Sequence, residues 1–165
     1  MFKKILRVFL IVLLAAFVII QFFHPKKNKA EGPQPNYIGN TFAVSADVKG
    51  ILTKACNDCH SNNTRYPWYS KIQPVDWWMN GHMKKGKKGL NLDEYTNRRL
   101  RYQYRKMEDI IEQLKEGEMP LNSYTWIHKK AILTPDEKKI LTDWANSIMD
   151  TLKAKYPMDS LMRKK

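Results

Sequence analysis

The sequence predicts an all-α domain behind one apolar amino-terminal helix. Three observations lead there: the patterned segments carry apolar residues at helical spacing, recognisable start and stop residues bracket them, and no alternating run points to a strand. At 165 residues the chain suits a single domain with a distinct leading segment. Its expected divisions are 1–24 as a membrane anchor, 25–43 as a flexible linker, 44–155 as the functional domain and 156–165 as a basic tail.

Val8 to Ile20 is an unbroken apolar run, and Ile5, Leu6, Phe22 and Phe23 extend it to about 19 residues interrupted by Arg7 and Gln21. At a rise of roughly 1.5 Å per residue such a helix reaches about 28 Å, close to the apolar thickness of a bilayer. Lys3, Lys4 and Arg7 form the positive flank of a secretory signal. No small-x-small cleavage pattern follows, so the segment reads as an uncleaved, single-pass signal anchor. From Pro25 to Tyr37 the composition turns to Lys, Asn, Gly, Gln and Pro, with little to bury, which predicts a tether.

Ser45 caps a helix expected to run to Ala55, with Val48, Ile51, Leu52 and Ala55 on one face. Residues 61–74 read as an ordered loop rich in Asn, Pro, Ser and aromatic side chains. A second helix is expected over Val75 to Lys85, ended by Gly86 and Gly89, and Asn91, Asp93 and Glu94 supply start signals for a third that stops before Gly117. Met107, Ile110, Ile111 and Leu114 form its stripe. Thr134-Pro135-Asp136-Glu137 is a capping box with proline at the first helical position, opening a last helix that buries Ile140, Leu141, Trp144, Ile148 and Met149.

The two cysteines are three apart and a histidine follows the second: Cys56-Asn57-Asp58-Cys59-His60. That is the c-type haem attachment pattern. Its spacing aims both sulfurs the same way, so that each can form a thioether with a haem vinyl carbon, while His60 supplies a neutral imidazole to the iron. Two other chemistries use the same residue types: a redox dithiol, which needs no following histidine, and half of a zinc site, which needs two further ligands. Among eight methionines, Met119 in Glu118-Met119-Pro120 sits on an interhelical loop and is the candidate sixth iron ligand, whereas Met107 and Met149 fall on core stripes. His82 is the lesser alternative, and His128 is a third competitor. Trp68 and Trp78, within the aromatic segment from Tyr66 to Trp78, are candidates for packing against the porphyrin. Arg65 is a candidate partner for a haem propionate, set against the plainer reading of a solvated surface arginine.

Cations outnumber acids 29 to 16. Six of the cations precede Ala30, which leaves 23 against 16 for the rest and favours an acidic protein partner or anionic lipid. The densest stretch runs from Lys84, Lys85, Lys87 and Lys88 to Arg98, Arg99, Arg101, Arg105 and Lys106. Nucleic acid is not expected, because no reading motif accompanies the charge.

In the order Cys-x-x-Cys-His, Met119-Pro120 and a capped final helix, the domain resembles the cytochrome c class. The string from Cys59 to Ser70, then Pro74, Trp77, Trp78 and His82, with Gly117 to Leu121, Tyr124 and His128, resembles the haem-binding domain family of Bacteroidetes-type bacteria. The resemblance spans about Val44 to Leu152. It implies one covalent haem c per chain, an all-helical cytochrome c-like fold and an envelope location, with the domain in the periplasm and the anchor in the cytoplasmic (inner) membrane. The function expected from these residues is electron transfer without catalysis, towards a redox partner protein. The alternative is a haem-based sensor or peroxidase-like enzyme whose sixth coordination site is open or labile.

Overall fold

A computed structural model describes residues 1–162, so of the basic tail Arg163, Lys164 and Lys165 lie outside the described residues. Helices are the regular elements of the described residues, which hold no strand and, as bridges, only the isolated pairs Lys29 with Asn63 and Asn36 with Glu94. Eight α-helices follow in order: α1 (Phe2–Ile20), α2 (Ala46–Ala55), α3 (Asn57–His60), α4 (Val75–Gly89), α5 (Leu100–Glu116), α6 (Asn122–Thr125), α7 (Pro135–Lys155) and α8 (Met158–Leu161).

The core forms where α5 packs along α7, with α2 laid across α7 and α8 closing one end. Val48, Ile51 and Leu52 of α2 meet Tyr104, Met107 and Leu114 of α5 and Leu141, Trp144, Ala145, Ile148 and Leu152 of α7, all buried. Helical periodicity marks most of these, but Tyr104, Ala145 and Leu152 join the core while Ile110, Ile111, Ile140 and Met149 of the expected stripes are only partly buried. The Trp144 indole donates to Ala43 O at 3.0 Å, so the largest core ring is also satisfied. Caps behave as their residue types demand: Ser45 accepts from Val48 N, and Thr134 and Glu137 complete a reciprocal box that starts α7. Gly117 ends α5 at φ 73°, a left-handed conformation that glycine takes without a Cβ penalty.

Several expectations are corrected. Helix α1 ends at Ile20, so Phe22 and Phe23 lie outside it, and Lys3, Lys4 and Arg7 occupy its first turns. Its uninterrupted apolar part is about 13 residues, roughly 20 Å. No helix among the described residues is long and apolar enough to cross a membrane.

The segment 25–43 is not loose. Lys27 donates to Asp76 Oδ1 at 2.8 Å and to Ser70 O at 3.2 Å, and Asn28 donates to Ser61 O and to the Thr64 hydroxyl. Ile38 is fully buried and its N–H donates to Leu92 O at 2.9 Å. Polar contacts fasten this segment, and composition says nothing about those. Helix α4 runs through Gly86 to Gly89, four residues beyond the expected Lys85. Helix α5 starts at Leu100 because the side chains that resemble start signals are engaged elsewhere: Asp93 accepts from Asn62 N at 2.7 Å, and Glu94 accepts from Asn36, Asn62 and Asn97.

Candidate functional site

Helix α2 ends at Ala55, and the chain turns through Cys56 into the single-turn helix α3, which carries Cys59 and His60. Backbone bonds from Cys59 N and His60 N to Cys56 O hold the three residues on one turn. Helix α4 crosses α3 so closely that a Cβ on Gly86 would lie 2.7 Å from Cys59 O and 3.1 Å from Cys59 Cβ. This contact, not helix termination, is what Gly86 provides. Replacing Gly86 with alanine is expected to force α4 off α3 and cost about 1–3 kcal/mol. Gly81→Ala, which meets nothing within 4 Å, should be neutral or stabilise by about 0.5–1 kcal/mol; denaturant titration of the two variants makes the comparison.

Cys56, Cys59, His60, His82 and Met119 all line one cavity of about 590 Å³, whose walls include Leu52, Leu90, Leu114, Leu141 and Trp144. The size falls in the range of sites that enclose a small molecule. His60 Nδ1 lies 2.9 Å from Leu90 O. A carbonyl can only accept, so Nδ1 carries the proton and Nε2 keeps its lone pair. Burial holds the His60 imidazole below its ordinary pKa, in the neutral form that can ligate.

The two cysteines are not joined to each other. Burial pushes the Cys56 thiol up to about 12, helped by the charge of Cys59, and pushes Cys59 up to about 11, helped by the Asp58 carboxylate. Both are therefore protonated thiols at neutral pH rather than the activated thiolates of a redox dithiol. Among the described residues no group of three or more His, Cys, Asp or Glu is placed to hold a metal, which leaves a zinc reading short of ligands.

Met119 reaches the cavity from the loop after α5. The amides of Glu118 and Met119 both turn back to Gln113 O, at 3.0 and 3.4 Å, and the Met119-Pro120 bond is cis. Trp68 and Trp78 do not line the cavity: they are 75% and 51% exposed, and Trp78 instead sets its ring against His82 at 4.4 Å between centroids. They are corrected as porphyrin-packing residues. The large rings on the cavity wall are Trp144 and Tyr124. Trp144 shows as a core residue in sequence, and nothing local marks its second role.

Around the cavity runs a polar chain. Asp58, inside the Cys-x-x-Cys-His turn and 7% exposed, accepts from the Arg65 backbone amide at 3.0 Å and from its guanidinium at 3.1 Å. Its other oxygen accepts the Tyr124 hydroxyl at 2.6 Å. Tyr124 stacks on His128 at 4.2 Å, and His128 Nε2 lies 2.5 Å from the Tyr69 hydroxyl. Arg65 is thereby committed to Asp58 and to Thr53 O rather than to a propionate. Through Tyr124 on α6, Asp58 ties the Cys56–His60 turn to the segment that follows Met119-Pro120.

A pair of neutral thiols, an imidazole with its lone pair free and a thioether, all on one apolar cavity, suit a haem and no other common group as well. Comparison with known proteins agrees: the model of a haem-binding domain family matches residues 15–147. The chain belongs to that family. No curated protein and no solved structure matches it. The match of the haem-binding domain begins inside α1, so the family unit includes the segment 25–43 that the structure shows fastened to the domain.

Proposed function

We propose that this haem-binding domain is a membrane-associated monohaem c-type cytochrome that carries electrons and transforms no substrate. The supporting observation is that Cys56, Cys59, His60 and Met119 line the same apolar cavity. When bound, haem supplies a one-electron iron couple.

The chain's residues do the rest. Cys56 and Cys59 present neutral thiols for addition to the two vinyl groups. His60, fixed by Leu90 O, would hold the iron through Nε2 and Met119 through its uncharged sulfur, a combination that would raise the potential of the bound group. Leu52, Leu114, Leu141 and Trp144 keep water from the site, which also tunes the potential. The exposed Lys84, Lys85 and Lys88, of which Lys85 borders the cavity, suit an acidic redox partner. Helix α1, exposed along its length, is the part that meets lipid, and the haem domain then lies on the periplasmic side of the cytoplasmic (inner) membrane.

Met119→Ala tests the ligand assignment. The ferric protein is expected to lose the weak far-red band of a methionine sulfur bound to iron while keeping its covalent haem. If the wild-type protein shows no such band, or the variant keeps it, Met119 is not the ligand, and His82 on the same cavity is the next residue to replace.

A further inference from the structure

Helix α1 taken alone is too short and too charged to cross a bilayer, yet its apolar side chains have no protein cover. The residues after it do not swing free. Gln21 and Gln73 exchange hydrogen bonds, with Gln73 N donating to Gln21 Oε1 at 2.9 Å and Gln21 Nε2 donating to Gln73 O at 3.3 Å. The carbonyl of Phe23 accepts from the Gln73 side chain at 2.7 Å and from the Trp77 indole at 2.8 Å. His24 Nδ1 lies 2.8 Å from the fully buried Asp76. The stretch from Gln21 to His24 is therefore pinned to the start of α4, leaving no slack between helix and domain.

The pinning gathers apolar groups where α1 ends. Phe22 is 79% exposed, Phe23 61%, Ile72 39% and Trp77 42%. Each belongs to, or adjoins, a residue in those hydrogen bonds, so the four lie near the helix exit as a collar. The cations Lys26 and Lys71, both exposed, lie beside it in sequence. Aromatic and apolar side chains edged by lysine match the boundary of an anionic phospholipid bilayer, where rings sit at head-group level and lysines meet phosphate.

We propose that the lipid-facing surface is composite: α1 together with a collar of Phe22, Phe23, Ile72 and Trp77, seated on a phospholipid bilayer, so that the haem domain is held flush with the membrane in one orientation. This extends the membrane association proposed above and rests on it. The collar supplies apolar contact at the end of α1 that the helix lacks, and it makes the direction of the haem cavity relative to the membrane a property of the fold.

The test uses the full haem-loaded chain with vesicles of phosphatidylethanolamine and phosphatidylglycerol that contain a lipid bearing a photoactivatable diazirine near the head group. Labelled peptides are mapped by mass spectrometry. Label is expected on α1 and on residues 71–78, and not on the exposed face of α7. A second measurement compares vesicle binding of the Ile72→Ser, Trp77→Ser double variant, which is expected to fall about tenfold or more.

Label on α1 without label on 71–78, or unchanged binding of the double variant, overturns the collar while leaving membrane association standing. Absence of label from both removes membrane association as well. Recovery of the collar peptides cross-linked to a second copy of the chain, in place of lipid, also overturns the proposal.

Discussion

Replacing Cys56 and Cys59 together by alanine is expected to abolish all haem that survives denaturation. Coexpressed with bacterial haem-attachment machinery, the wild-type chain should give a haem-stained band on a denaturing gel, each single variant a weaker band with an altered pyridine haemochrome spectrum, and the double variant none. The physical reason is that His60 and Met119 would offer only reversible coordination, whereas the proposed thioethers would persist once the fold is lost. The variant keeps the buried stripes of α2, α5 and α7, so its helical content is expected to stay intact by circular dichroism. A stained band of wild-type strength in the double variant would mean that haem is held some other way and would overturn the c-type reading.

The second large effect falls on Asp58, a residue proposed neither to ligate nor to attach the haem. Asp58→Ala removes a buried carboxylate that accepts from the Arg65 amide and guanidinium and from the Tyr124 hydroxyl, leaving those donors to find water or nothing. Hydrogen bonds to a charged group and the loss of one partner from a buried pair together imply a cost of about 3 kcal/mol. Asp58→Asn, which keeps one acceptor oxygen, should lose about half as much. Arg65→Ala should also cost less than Asp58→Ala, because the arginine side chain is 58% exposed and water can replace it. Equilibrium denaturation checks the ranking: at unchanged slope, the midpoint should fall furthest for Asp58→Ala and less for Asp58→Asn and Arg65→Ala. An Asp58→Ala midpoint equal to wild type would show that the chain from Arg65 to Tyr124 carries no stability.

Where local chemistry decides, sequence reasoning and structure agree. Ser45 and Thr134 cap where their hydroxyls can accept from an amide three residues on, and Gly117 ends α5 with a positive φ. Of the stripe positions, Val48, Ile51, Leu52, Met107, Leu114, Leu141, Trp144 and Ile148 are buried, whereas Ala55, Ile110, Ile111, Ile140 and Met149 are only partly buried. Local reading fails where a residue has a distant use. Gly86 resembles a helix breaker, but the absence of its Cβ is spent on Cys59, 27 positions earlier. Asp93 and Glu94 resemble helix starts, but their carboxylates serve Asn62 and Asn36. Residues 25–43 have a tether's composition, yet Lys27 and Asn28 find fixed partners around Asp76 and Thr64.

Spacing, capping and periodicity act within a few residues, so the helical class, the candidate attachment motif Cys56–His60 and Met119 as candidate ligand are legible in the chain. That Met119 and His82 share a cavity with that turn, that Trp144 and Tyr124 wall it in place of Trp68 and Trp78, and that Asp58 binds Arg65 and Tyr124 is visible in the folded chain alone. The reason is that a buried carboxylate or an unshielded ring is assigned its partner by chain crossings dozens of residues apart, and no local pattern encodes a distance across the fold.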